Sequence, residues 1–112
     1  MKEGKIFLLH ILDSIKNIYS FSEELTKEEF LKDRLRQSAI IRELEIIGEA
    51  SKNLPKDFTG KYQDVNWTEI AGMRDKLIHH YFGLNLERVW KVVEDDLPVL
   101  EEKIKEILEK LK

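Results

Sequence analysis

Apolar side chains recur every three or four residues along most of the chain, and this is the period of one face of an α-helix. In the first stretch, residues 5–19, the apolar positions are Leu8, Ile11, Leu12, Ile15, Ile18 and Tyr19. This spacing predicts an amphipathic first helix that ends near Ser20–Ser22. Thr26 and Glu29 then have the spacing of a capping box, in which each side chain binds the backbone amide of the other residue.

The second predicted helix runs from about Lys27 to Asn53. Its apolar face consists of Ile40, Ile41, Leu44, Ile47, Gly48, Ala50 and Leu54. Glu43 projects onto the same face, where an unpaired carboxylate is costly to bury. Two interpretations stay open. Glu43 pairs with a cation on another helix, for which Arg74 is the candidate, or it lies at the edge of the face and its carboxylate reaches water.

A loop and a third helix follow. Residues 54–65 contain Pro55, Gly60 and several polar side chains, so they are predicted to form the main loop, with room for a short turn. Asn66 is the expected N-cap of the third helix, with Glu69 at the third helical position. The apolar face of this helix is formed by Trp67, Ile70, Ala71, Met73, Leu77, Ile78 and Tyr81. Gly83 is expected to end it.

The last helical segment is predicted to begin at Asn85, which is its expected N-cap. Its apolar positions are Leu86, Trp90, Val93, Leu97, Leu100, Ile104, Ile107 and Leu111. Their spacing alternates between four and three residues, as in a heptad seam. Pro98 interrupts the seam and predicts either a kink or a break. Together the periods predict one all-α domain, residues 1–112, folded as an antiparallel up-and-down bundle of four to five helices.

Composition narrows the class of protein. The 112 residues are 42% hydrophobic and 37% charged, as expected of a globular chain. The absence of cysteine excludes a disulfide framework, a thiolate zinc site and a cysteine nucleophile. The sequence has no signal-peptide pattern, and no apolar run approaches the ~20 residues that span a bilayer. We therefore expect a cytoplasmic protein that does not enter a membrane.

Charge is distributed unevenly. The net charge is −3, which argues against a general nucleic-acid binder held by a basic surface. The whole imbalance lies in residues 94–112, which carry seven acidic and four basic side chains. Residues 74–93, in contrast, carry four basic and two acidic side chains and also contain His79 and His80. A bound phosphate or a short RNA segment is therefore plausible near Arg74.

The third helix carries the candidate chemistry. Arg74 projects onto the centre of its apolar face, where a guanidinium needs a partner because it cannot lose its proton. Asp75 lies one turn before His79, so its carboxylate can hydrogen-bond the imidazole. Tyr81 is seven residues after Arg74, and the two therefore project to the same side of the helix.

This set of residues suits acid–base chemistry better than metal binding. The adjacent His79 and His80 point about 100° apart on a helix, and no further ligands stand at zinc-site spacing. His79 as a general base could activate an RNA 2′-hydroxyl, while Arg74 stabilises the charge that develops on the phosphorane. From the spacing alone, an ion pair beside a boundary histidine is the simpler interpretation.

A resemblance favours the catalytic interpretation. The third helix resembles the motif of the HEPN superfamily, in its HepT-like branch of bacterial and archaeal toxins. In that motif an arginine is followed after four residues by a histidine and after one more residue by a tyrosine, here Arg74, His79 and Tyr81. The similarity extends over nearly the whole chain in the same order. It includes the segments Ile46–Ala50, Trp67, Gly72–Asp75, Val89–Trp90 and Asp96–Pro98.

The resemblance implies an all-helical homodimer in which two copies of the motif approach each other across the two-fold axis. It implies a metal-independent ribonuclease without a cofactor, with Arg74 and His79 as catalytic residues. A minimal nucleotidyltransferase antitoxin is implied to neutralise the toxin by adding AMP to Tyr81. Asp75, His80 and Glu43 are supporting candidates around this site.

Two alternatives belong to other classes. A catalytically silent HEPN helical module would bind a nucleotide or serve as the partner subunit of a nucleotidyltransferase, and the acidity of the chain favours this mildly. A plain helical dimerisation module would have no cavity of phosphate size near His79. Whether Arg74 and His79 open onto a shared groove distinguishes these alternatives from the ribonuclease.

Overall fold

The computed structural model describes residues 2–79 and 85–112, without the side chains of residues 2, 3, 74 and 77–79. In these ranges the chain forms α-helices, one π-helical turn and short connections, and it contains no strand. The helices are α1 (Lys2–Ser22), α2 (Lys27–Lys32), α3 (Arg34–Lys52), α4 (Lys56–Lys61), α5 (Trp67–His79), α6 (Leu86–Lys91) and α7 (Leu97–Lys110), with the π turn at Val92–Asp96. The predicted all-α bundle is confirmed. No helix in the described part of the chain is long and apolar enough to cross a membrane.

Helix α3 is the centre of the bundle and packs against both α1 and α5, while α1 also contacts α7. The first turn of α1 lies beside α4, which directly follows the end of α3, because Gly4 is next to the ring of Phe58. Helices α1 and α3 therefore run antiparallel. A single apolar core lies between the helices. Its fully buried large side chains are Leu8, Ile11, Ile15, Ile18, Phe30, Ile40, Leu44, Ile47, Phe58, Leu97 and Ile104.

The predicted capping box forms at the start of α2. The Thr26 hydroxyl accepts from the Glu29 amide at 3.1 Å, and the Thr26 amide donates to the Glu29 carboxylate at 2.9 Å. The backbone hydrogen bond from Thr26 holds the pKa of the Glu29 carboxyl below its usual range, since it stabilises the ionised form.

The prediction of one continuous helix from Lys27 to Asn53 is wrong at Asp33. This residue is extended, with φ −105° and ψ 91°, and its carboxylate accepts from the Arg36 amide at 3.0 Å to cap α3. The Phe30 carbonyl at the end of α2 accepts from the Asp33 backbone amide at 3.2 Å and from the Gln37 side-chain amide at 2.9 Å. The break lets the Phe30 ring lie in the core, 5.2 Å from the ring of Trp90.

The predicted loop at residues 54–65 contains a helix, α4. Pro55 precedes its first turn, and Phe58, with 1% of its surface exposed, is the buried residue of this helix. The Phe58 ring lies 5.0 Å from the ring of Tyr62 and 6.5 Å from that of Trp67. The polar composition of the segment concealed its buried aromatic side chains, Phe58 and Tyr62, because a six-residue helix shows almost no periodicity.

The C-terminal helical path does not break at Pro98. A π turn, Val92–Asp96, joins α6 to α7, and the Leu97 amide donates to the Val92 carbonyl five residues earlier. Pro98 lies in the first turn of α7, where its missing N–H is tolerated. The heptad seam faces the core throughout. Its buried members are Trp90, Val93, Leu97, Leu100, Ile104 and Ile107.

Candidate functional site

The start of α5, the helix that carries the candidate chemistry, is held by three hydrogen bonds. Asn66 caps the helix as predicted, because its Oδ1 accepts from the Glu69 amide at 3.1 Å. The Asn66 side-chain amide in turn donates to the Glu69 carboxylate at 3.1 Å. The buried indole N–H of Trp67 donates to the Tyr62 carbonyl at 2.9 Å. The first turn is thereby fixed in both position and rotation.

One face of α5 packs against the core, as the sequence predicts. Trp67 is 7% exposed, and Ile70 and Met73 are partly buried against the core cluster. Thr68, Glu69, Asp75 and Lys76 form the exposed face. The helix is therefore amphipathic and packs on α3 with a defined rotation.

Arg74 and His79 both lie on α5, five residues apart, and Asp75 is exposed one turn before His79. The side chains of Arg74, Leu77, Ile78 and His79 lie outside the described part of the structure. His80, Tyr81 and Gly83 also lie outside the described residues. The expected hydrogen bond in which the Asp75 carboxylate accepts from the His79 imidazole, and the helix end at Gly83, therefore stay predictions. The structure does place the two candidate catalytic positions on one helix whose first turn is held by side-chain hydrogen bonds.

Glu43 is half-buried on α3, so it does lie at the border of the core, as its position on the apolar face predicts. Its carboxylate accepts a hydrogen bond from the Asn17 side-chain amide of α1 at 3.3 Å. The periodicity of the sequence did not indicate Asn17 as the partner of Glu43, since the two residues lie on different helices. The pairing of Glu43 with Arg74 stays a prediction.

A shallow groove between α1 and α3, with a volume of about 290 Å³, is a feature that the sequence did not indicate. Phe7 and His10 line its α1 side, and Arg42, Glu45 and Glu49 line its α3 side. The Arg42 guanidinium lies 3.7 Å from the Glu45 carboxylate. Two carboxylates and one guanidinium do not make a phosphate site, so this groove does not displace α5 as the candidate site. Among the described side chains, no group of three or more His, Asp or Glu could hold a metal ion.

Comparison with known proteins places the candidate site in a family context. The family model described as Ribonuclease HepT-like matches residues 11–107, a range that contains all of α5. A protein of Methanocaldococcus jannaschii described as "Putative RNase MJ0127" is 50% identical over 110 residues, covering 95% of this chain and 91% of that protein. "Probable ribonuclease HepT" of Thermococcus cleftensis is 47% identical over 106 residues, covering 95% of this chain and 96% of that protein. No solved structure matches the chain.

Proposed function

Because the chain belongs to the Ribonuclease HepT-like family, we propose that it is a metal-independent endoribonuclease that uses Arg74 and His79. The observation that carries the proposal is the match over residues 11–107, which includes both positions on the anchored helix α5. The names of relatives at 47–50% identity, which describe ribonucleases, support the same reaction class.

The proposed reaction is transfer within the RNA strand. His79 takes the proton of a 2′-hydroxyl, and the resulting oxygen attacks the adjacent phosphorus. The bond from phosphorus to the 5′ oxygen breaks, and a proton passes to that leaving oxygen. Arg74 stabilises the negative charge on the phosphorane. The products are a 2′,3′-cyclic phosphate and a free 5′-hydroxyl, and no metal ion takes part.

The proposed supporting groups surround this pair. Asp75, one turn before His79, orients the imidazole and stabilises its protonated form. His80 supplies a second imidazole directly after His79 in the chain, and Glu43 is the candidate partner of Arg74. A homodimer gives Arg74 a partly polar shared interface instead of a dry core, which a guanidinium requires.

We further propose that the protein is a toxin controlled by modification of Tyr81. A partner nucleotidyltransferase transfers AMP from ATP to the phenol oxygen and releases pyrophosphate. The added phosphate brings negative charge and bulk close to Arg74, so it competes with RNA for the guanidinium. Since the acceptor is a phenol oxygen, phenylalanine at this position cannot be modified.

Purified protein incubated with RNA is expected to cleave it equally well with and without a chelator, leaving 2′,3′-cyclic phosphate ends. Mass spectrometry of the products identifies their end groups, and the extent of cleavage is compared with and without the chelator. Activity that is lost with chelator and restored by Mg²⁺ would contradict the metal-independent mechanism. A folded protein that binds a nucleotide or a nucleotidyltransferase but cleaves no RNA would instead support the catalytically silent module.

Incubation with ATP and the cognate nucleotidyltransferase is expected to add the mass of one AMP at Tyr81 and to abolish RNA cleavage. Peptide mass mapping and a cleavage assay on the same sample measure both effects. The variant Tyr81→Phe should escape inactivation and keep at least part of the activity. Modification at another residue, or full activity after Tyr81 is modified, would end the regulatory proposal.

A further inference from the structure

The outer face of α3 carries a row of residues at intervals that alternate between four and three, which is the spacing of a helix-packing seam. These residues, which we call the α3 stripe, are Leu35, Ala39, Arg42, Ile46, Glu49 and Asn53. Leu35 is 81% exposed, more than any other large hydrophobic residue in the described part of the chain. Ala39 and Ile46 are half-buried, and the other members are exposed. The stripe is therefore separate from the buried face of α3 and remains open to solvent.

The middle of the α3 stripe lines the groove between α1 and α3. Arg42, Ile46 and Glu49 lie on the α3 side of this groove, and the Phe7 ring lies on the α1 side. Phe7 and Ile46 are both half-buried, so the groove offers apolar surface at its centre. A guanidinium precedes Ile46 along the helix and a carboxylate follows it, so the apolar centre lies between two opposite charges.

The charges of the α3 stripe are self-complementary about Ile46. Arg42 lies four residues before Ile46 and Glu49 three residues after it, or about 6 Å and 4.5 Å along the helix axis. If a second α3 packs antiparallel on the first, with a two-fold axis at Ile46, the two Ile46 side chains meet at the centre. Each Arg42 then lies level, to within about 1.5 Å, with Glu49 of the partner subunit. A two-fold interface requires this kind of self-complementary surface.

The remaining charge in the groove favours a second copy of the chain over RNA. The Glu45 carboxylate lies 3.7 Å from the guanidinium of Arg42 in the same helix, so this carboxylate already has a cation beside it. The carboxylates of Glu45 and Glu49 outnumber the one guanidinium, and such a surface repels phosphate groups. In a two-fold contact, by contrast, each Arg42 is placed near its own Glu45 and Glu49 of the partner subunit.

The α3 stripe is level with the candidate site on α5. The ring of Trp67, the first residue of α5, lies 6.5 Å from the ring of Phe58 in α4, which directly follows α3. Helix α5 packs against α3 and therefore runs back along it. Arg74 is seven residues, or about 10 Å, along α5, and Ile46 is seven residues before Asn53 at the end of α3. The Arg74 position and the centre of the stripe thus lie at the same height in the bundle.

We propose that the α3 stripe is the surface on which a second copy of the chain docks, antiparallel about a two-fold axis at Ile46, with Arg42 paired to Glu49 of the partner subunit. This inference deepens the proposed function, because it rests on the homodimer proposed above and assigns an interface to it. The axis passes at the height of Arg74 on the neighbouring helix. The contact therefore supplies the shared, partly polar border that the proposed homodimer gives to this guanidinium.

The test reverses one charge at a time and measures self-association by analytical ultracentrifugation. Arg42→Glu places two carboxylates opposite each other at both ends of the contact, and Glu49→Arg places two guanidinium groups there. Each variant alone should have a dimer Kd at least about tenfold above that of the wild type. An equal mixture of the two variants should form a heterodimer with a Kd close to that of the wild type, because every reversed charge then faces its opposite.

Matched controls carry the same changes away from the α3 stripe. Arg88→Glu on α6 and Glu28→Arg on α2 reverse exposed charges and should leave the dimer Kd unchanged. Ile46→Lys should weaken the dimer through the centre of the contact, whereas Val99→Lys, at a position that is 55% exposed on α7, should not. Melting curves of all variants establish that each one is folded, so that a change in Kd reports on the interface.

The outcomes separate this inference from the ribonuclease function. If the wild type stays monomeric at micromolar concentration, the interface and the proposed homodimer both fall. If the wild type dimerises and the reversals at positions 42 and 49 leave its Kd unchanged, the interface falls while the homodimer stands. Weakening without rescue in the mixture refutes the pairing of Arg42 with Glu49. Loss of nucleotidyltransferase binding with normal self-association shows that this other protein occupies the stripe. A wild type that dimerises with these effects but cleaves no RNA leaves the interface intact and refutes the ribonuclease.

Discussion

Replacing His79 with alanine is expected to lower the rate of RNA cleavage by about 10²–10⁴-fold, because the reaction loses its general base. The fold should be unaffected, since the helical projection of the sequence places His79 outside the apolar set of this helix. The measurement is the single-turnover rate on a labelled RNA, together with a melting curve. His10→Ala is the matched control, because His10 is an exposed histidine on a different helix, α1. A His79→Ala variant with wild-type rate would remove the imidazole from the mechanism.

Arg74→Ala should abolish cleavage as well, since the charge on the phosphorane would lose its stabilising cation. The melting curve of this variant tests whether Glu43 is the partner of Arg74. If Glu43 is the buried partner of Arg74, the variant should lose about 3–5 kcal/mol of unfolding free energy, because a buried carboxylate would be stranded. Wild-type-like melting would remove Glu43 as that partner and leave it with its observed contact to Asn17 on α1.

The second large effect is expected at Phe58. Phe58→Ala should lower the free energy of unfolding by about 3–5 kcal/mol, because it empties a site that is 1% exposed. The ring contacts Tyr62 and Trp67 and covers Gly4, so its loss loosens α4 from both α1 and α5. Urea unfolding followed by circular dichroism measures the change. A loss of under about 1 kcal/mol would mean that α4 does not contribute to the core as described.

A double-mutant cycle with Gly4→Ala tests the same contact from the other side. In the wild-type background Gly4→Ala should cost about 1–3 kcal/mol, because its Cβ would overlap the Phe58 ring. In the Phe58→Ala background the same substitution should cost nothing or stabilise, since the space is free and alanine favours a helix. Additive effects of the two substitutions would refute the contact.

Local signals explain what the sequence predicted well. The caps at Thr26, Asn66 and Asn85 each depend on a side chain and an amide three residues apart, so the spacing alone identifies them. The two errors have a common cause. The break at Asp33 and the helix α4 both exist because one phenylalanine is buried against a residue far away in the sequence, Phe30 against Trp90 and Phe58 against Gly4. A periodicity averaged over many residues does not register a single tertiary contact.

For the candidate site, the sequence predicted the helix that carries it, but not the contacts between that part of the fold and the other helices. The amphipathic pattern from Trp67 onward gives α5, its cap and its buried face, because these follow from spacing. The hydrogen bond between Asn17 and Glu43 and the groove between α1 and α3 depend on how two helices meet, which spacing does not determine.

The π turn at Val92–Asp96 has a consequence for how this chain tolerates changes of length. A π turn holds one residue more than a regular α-helical turn. Deleting one of its exposed acidic residues would allow the segment to wind as a plain α-helix, and α6 would then rotate by about 100° relative to α7. Trp90 would turn away from Phe30, although every core residue would still be present. Alignments of related chains should therefore show no gap at residues 94–96. Asp95 and Asp96 should tolerate any polar residue, whereas Glu94 accepts from the Trp90 indole N–H at 3.1 Å and should stay a hydrogen-bond acceptor.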